Sequence, residues 1–217
     1  EELAARYGVN LEDLEKEQIS LVKNIKLKDG SDFSTINTFG AIENIMVQNK
    51  IISAAIVCDK DYEIIEQEYF VDKLRFPYIF GFESYREMPN MISVFAKLRE
   101  KPDVLFIKGE GLNHQRIGIA NHLSLSINNP VIGINDKLFE DNEVVNDDII
   151  KEGKVVGKIF VSKQGSRAIN IFPGNEMSVD TALNIVKEII VPPHKFPEPM
   201  VLSQKYAKNI KKELKII

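Results

Sequence analysis

The chain has a single cysteine, Cys58, so no internal disulfide can form, and it shows no Cys/His spacing of the zinc-binding type. Long apolar runs are missing too. Nothing approaches the ~18 consecutive apolar residues of a membrane-spanning helix, so no membrane partner is expected. The first residues, Glu1 and Glu2, are acidic, and no basic, apolar leader follows them. Together these absences predict a cytoplasmic protein. An initiator Met is also lacking, which leads us to expect that the segment comes from a longer chain, with room for an upstream fused domain or protein partner. An excess of positive charge is likewise absent: 28 Lys and Arg face 32 Asp and Glu, for a net charge of −4. That balance argues against coating nucleic acid by bulk charge. A local basic groove remains compatible with it, because the footprint decides binding.

What is present reads as one mixed α/β domain, since 217 residues can bury a substantial core without disulfides or metals. Residues 10–27 have helical spacing, with Asn10 placed to cap and Leu14, Leu21, Val22 and Ile25 on one side. Residues 36–43, 51–59 and 61–70 then read as three strands of an antiparallel meander with a tight polar turn near Asp59. Residues 76–81 form an aromatic loop stiffened by Pro77. A helix carrying Met88, Met91, Phe95 and Leu98 on one stripe follows, started or kinked by Pro89. Short apolar runs at 103–107 and 131–134 flank a predicted helix over 115–127, a β-loop-α-β pattern that implies parallel neighbours. Residues 140–148 read as a solvated acidic insertion. Strands at 155–162 and 168–172 come next, then a helix at 178–190, a proline-rich connection, and a closing helix at 202–214. That last helix has a lysine-rich back of Lys205, Lys208, Lys211 and Lys212. The sum is a mixed sheet of about six or seven strands flanked by helices.

Chemistry concentrates in residues 102–122, PDVLFIKGEGLNHQRIGIANH. A strand ending in a polar Gly-rich loop at a helix N-terminus is where open α/β sheets place ligands. Gly109 and Gly111 would let the backbone approach a bound group with no Cβ in the way. Beside this loop stand Glu43, after the first strand, and Glu87, beyond the aromatic loop. Acidic residues from separate strands would make a hard-cation site for phosphodiester chemistry. The strand end where a third acid belongs is Lys108, however. Taken singly, a glutamate at a strand end is ordinarily solvated, and a lone histidine such as His114 ordinarily serves as a structural hydrogen-bond partner. His122 and His194 have no evident companion.

Five ordered segments resemble the endonuclease V family: FPYIFGFESYREMP, the 102–122 segment, NNPVIGIN, SKQGSRAINIFPGN and FPEP. The first helix, with Gln18, is also similar to that family's first helix. The resemblance implies a ribonuclease H-like fold and nucleases that cut DNA or RNA near deaminated bases such as inosine. By the same resemblance, Pro77, Tyr78 and Ile79 match the strand-separating wedge loop, with Phe80 in place of its closing proline. Gly81, Gly109, Gly111, Leu112 and Gly118 match the base pocket, and His114 matches the loop histidine. The metal-ligating acids fall on Glu43, a glutamate for the family's aspartate, and on Glu87. The third falls on Lys108, a reversal of charge. The family's lysine after the next strand falls on Asn135 or Asp136, and its PGH histidine on Asn175.

The reversal has a calculable consequence. Unit charges ~4 Å apart interact by roughly 4 kcal/mol at an effective dielectric of 20, so changing one ligand from −1 to +1 beside a divalent ion costs on the order of 10 kcal/mol. We therefore expect a compensated swap, with the Lys108 ammonium sitting among Glu43, Glu87 and Asp136. Binding of a flipped base would survive, and Mg²⁺- or Mn²⁺-dependent cleavage would be weak or lost. Lys108 as a general base is disfavoured, because two neighbouring glutamates raise its pKa. Two other expectations stay open. One is a nuclease that still cuts, with Glu43, Glu87 and Glu110 around the metal. The other is a non-catalytic interaction scaffold.

Overall fold

A computed structural model describes residues 7–215; Glu1 and Glu2, read above as an acidic start, lie outside them. Among the described residues five α-helices, α1 (Leu11–Val22), α2 (Glu83–Lys97), α3 (Ile119–Ile127), α4 (Val179–Glu188) and α5 (Glu198–Glu213), and a short 3-10 turn at Phe33–Thr35 accompany nine strands. These are β1 (Phe39–Val47), β2 (Lys50–Cys58), β3 (Ile64–Lys73), β4 (Val104–Lys108), β5 (Val131–Asn135), β6 (Glu143–Val145), β7 (Asp148–Lys151), β8 (Lys154–Phe160) and β9 (Ile169–Pro173). They form one sheet in the order β3-β2-β1-β4-β5-β9-β8-β7-β6.

The expected meander is present as β1-β2-β3. The crossovers expected from the β-loop-α-β pattern make β4 parallel to both β1 and β5. The expected mixed, helix-flanked α/β sheet is met, with more strands than the sequence suggested. The acidic insertion is where the count went wrong: part of it folds as the β6–β7 hairpin. Asn146 and Asp147 turn that hairpin with φ of 49° and 67°, and left-handed pairs of this kind suit the twist of a two-residue hairpin.

Alternation along the central strands builds two cores. Phe39, Ala41, Val104, Phe106 and Ile171 face α4 and α5, while Ile42, Leu105, Ile107 and Val131 face α2 and α3. Pro89 lies inside α2 rather than at its start, and Asn10 caps α1 as expected by accepting from Glu12 N at 3.1 Å. Among the described residues, no helix is long and apolar enough to cross a membrane.

Candidate active site

Register decides what meets at the centre. The Asp103 carboxylate accepts hydrogen bonds from Asn37 N at 2.7 Å and Thr38 N at 3.0 Å, fixing the entry of β1 beside β4. Pairing then runs from Phe39↔Val104 to Ile42↔Ile107. Glu43 therefore comes level with Lys108, where β4 ends and β1 continues to Val47. This corrects the expectation that Glu43 ends its strand. Its side chain falls on the α5 side of the sheet, while Glu87, on α2 against the other face, meets Asn44 of β1, and both acids line one cleft.

A cleft of about 460 Å³ opens there, lined by Glu43, Glu87, Lys108 and Gly109. Glu83, Glu110 and Asp136 add acid to its wall, and Lys137 adds one more base. Sequence reasoning singled out neither Glu83 nor Lys137. Burial raises the Glu43 carboxyl above its ordinary value, opposed by Lys108 and Lys208. Burial does the same to Glu87, opposed by a hydrogen bond from Asn44. Glu110 is raised by burial, with Glu83 and Glu87 adding to the effect. The Asn44 contact is the end of a chain that sequence reasoning missed. Asn90 Nδ2 donates to Ser53 Oγ at 2.7 Å, Ser53 to Asn44 Oδ1 at 2.5 Å, and Asn44 Nδ2 to Glu87 Oε2 at 3.2 Å.

The expected ion pair of Lys108 with Glu43 and Glu87 is not formed. The Lys108 side chain is exposed and has no hydrogen bond or salt bridge among the described residues. It acts on both carboxyls only through space. In the same arrangement, no group of three or more His, Cys, Asp or Glu side chains among the described residues is placed to hold an ion.

Asn135 also lines this cleft, whereas Pro77, Tyr78, Ile79, Gly81, Gly111, Leu112, His114 and Gly118 do not. His114 is buried, its Nδ1 accepts from Arg116 N at 3.1 Å, and its Nε2 stands 4.0 Å from Glu83 Oε2. Burial pushes its pKa down to about 4, so the ring is neutral at pH 7. With Leu112 it lines a separate cavity of about 250 Å³. Pro77 is buried, Ile79 half-buried, and Tyr78 and Phe80 project as an exposed tip. The glycines also meet a packing need. A Cβ at Gly109 would fall 2.1 Å from Ile119 Cγ2, and at Gly111 2.6 Å from Phe172 Cβ. Core packing therefore requires glycine at both positions, and Gly109 also lines the cleft.

Asn175 and Asn135 are also structural: Asn175 Oδ1 accepts from Lys26 N at 2.9 Å, and Asn135 Oδ1 from Asn170 Nδ2 at 3.0 Å. His122 is buried against Ser84, and His194 pairs with Glu198. Of the four lysines on the back of α5, Lys208 acts on Glu43, while Lys205 and Lys212 are exposed.

A meander joined to two parallel crossovers, with acids from β1 and α2 converging past the end of β4, defines the ribonuclease H-like class. The family model described as Endonuclease V matches residues 16–205. Endonuclease V of Thermosipho melanesiensis is 31% identical over 201 residues, covering 89% of this chain and 84% of that protein. The Bacillus subtilis endonuclease V structure superposes with a TM-score of 0.86 at 24% identity, covering 95% of this chain and 94% of the other. A Ciona intestinalis endonuclease V, solved with a 24mer DNA containing an inosine followed by a ribo-adenosine, gives 0.82 at 19% identity, over 94% and 98%. The chain belongs to the endonuclease V family.

Proposed function

We propose that this protein binds DNA or RNA carrying deaminated, inosine-type bases, and that its metal-dependent cleavage of phosphodiesters is impaired. The observation that carries this reading is Lys108, which sits level with Glu43 at the end of β4, where the family pattern has an aspartate. A cation at that point opposes a divalent ion by on the order of 10 kcal/mol before relaxation. Recognition of a base needs none of the metal: the exposed Tyr78 and Phe80 are suited to stacking, and Lys205, Lys208 and Lys212 are available to phosphates. The inosine-containing DNA held by the Ciona relative supports the choice of substrate class.

A second reading is favoured by the free Lys108 side chain. With the ammonium turned outward, Glu110 would join Glu43 and Glu87 as the third acid for Mg²⁺ or Mn²⁺, and cutting would persist. The experiment follows binding and nicking of labelled inosine-containing DNA and RNA oligonucleotides with Mg²⁺ or Mn²⁺ present. Binding in preference to undamaged strands, without cuts, is expected. Efficient cutting would overturn the impaired-cleavage reading in favour of the second. Neither binding nor cutting would leave an interaction scaffold.

A further inference from the structure

The exposed tip at Tyr78 and Phe80 is carried by four residues, 77–80, and both ends of that short loop are held by arginines. At the entry, Arg86 Nη1 donates to Phe76 O at 2.6 Å. At the exit, Gly81 O accepts twice, from Arg116 Nη2 at 3.1 Å and from Gln18 Nε2 at 3.1 Å. Arg116 Nε also donates to Gln18 Oε1 at 2.6 Å and Nη1 to Glu15 Oε1 at 3.1 Å, while its guanidinium lies 4.5 Å from the Phe82 ring centroid. Gln18 is the buried residue of α1 and is 1% exposed. Gly81 has φ of +84°, and a Cβ there would meet Arg116 Nη2 at 2.7 Å, so the turn is shaped around the guanidinium. Arg116 thus joins three segments that are distant in sequence: α1, the base of the aromatic loop, and the loop before α3.

We infer that Arg116, with Gln18, is the positioning residue that aims the Tyr78–Phe80 tip, so that lesion discrimination depends on a side chain that does not line the acidic cleft. This rests on the proposed reading that the protein recognises inosine-type bases. A free loop would have to be ordered on binding, and that ordering cost would fall on the complex in which the tip enters the duplex. Binding to an undamaged duplex, where the tip is idle, would be unaffected.

The test uses duplex DNA with inosine next to 2-aminopurine, whose fluorescence rises when a neighbour unstacks, and the same duplex without inosine. Wild type, Arg116→Ala, Arg116→Lys and Gln18→Leu are compared, with melting curves to establish folding. Wild type should prefer inosine and raise the fluorescence. Arg116→Ala should lose about tenfold of that preference, the worth of one charge-assisted hydrogen bond. It should also lose the fluorescence rise while keeping its affinity for the undamaged duplex. Arg116→Lys should recover part, because an ammonium can reach Gly81 O but cannot also serve Gln18 and Phe82 in one plane. If Arg116→Ala fails to fold, Gln18→Leu carries the test, with a smaller loss in the same direction. Retention of both preference and fluorescence by the folded variants would overturn the inference and leave the proposed function standing. No preference in wild type would overturn the proposed function itself.

Discussion

Gly118→Ala should destabilise the loop that floors the cleft, and the size of the effect can be worked from the backbone. Gly118 has φ of −75° and ψ of 162°, a conformation open to alanine, so strain in its own dihedrals contributes nothing. Space is the obstacle: a Cβ would fall 2.4 Å from both Glu110 O and Gly111 O. Those carbonyls cannot swing aside like the end of a side chain. They accept the hydrogen bonds that close the loop onto α3, Ala120 N to Glu110 O at 3.0 Å and Gly118 N to Gly111 O at 3.1 Å. Relieving the clash lengthens both. With each bond worth about 1 kcal/mol net, plus part of the penalty for a buried carbonyl left unmade, the loss is about 3 kcal/mol. For a domain of this size that is roughly 6–12 °C in melting temperature. The control is Gly165→Ala, where φ is +77° and nothing lies within 4 Å of the new Cβ. Only left-handed strain applies there, about 1 kcal/mol. Thermal unfolding by circular dichroism checks the pair, and a Gly118→Ala melting point at or above that of Gly165→Ala would refute the packing argument.

Other expected outcomes follow from the same geometry. Glu87 has a folded-state pKa raised above the ordinary 4.5, so wild type loses stability as pH rises from there through the elevated value. Glu87→Gln should therefore melt higher than wild type at pH 7.5, with the advantage gone at pH 4.5 and below; an equal gap at both pH values would contradict the sign. Tyr78 is 64% exposed, so Tyr78→Ala should leave unfolding within about 0.5 kcal/mol of wild type. Its affinity for an inosine oligonucleotide should nevertheless fall on the order of tenfold, the value of one aromatic–base stack. Unchanged affinity in a titration would remove the tip from the binding surface.

Local pattern revealed much of this molecule, and its failures share a physical cause. The meander and the two crossovers were legible because apolar alternation and the strand-loop-helix succession are written in neighbouring residues. β1 outran its predicted end because Glu43 and Asn44 interrupt the apolar run, yet both are held by pairing with Ala54 and Ser53 on β2. The β6–β7 hairpin was hidden by its exposed, acidic composition, although Asn-Asp at its tip was an available turn signal. Glu43, Glu87 and Lys108 stood out at the ends of elements, the family resemblance gave them roles, and they line one cleft. That Lys108 would stay unpaired beside these acids was not legible, since a strand end does not dictate the rotamer of a long side chain. Arg116, Asn44 and Asn90 were missed for another reason. Their roles lie in partners far away in sequence, such as Gln18 and Gly81 for Arg116, and no local period encodes them.

Whether Lys108 is what separates recognition from cutting is tested most directly by Lys108→Asp. Wild type and the variant would be given the same inosine-containing DNA and RNA with Mn²⁺, and both bound and nicked fractions would be measured. Restoring an acid level with Glu43 should yield metal-dependent nicking by Lys108→Asp where wild type only binds. Cutting by wild type at the rate of the variant would contradict the account.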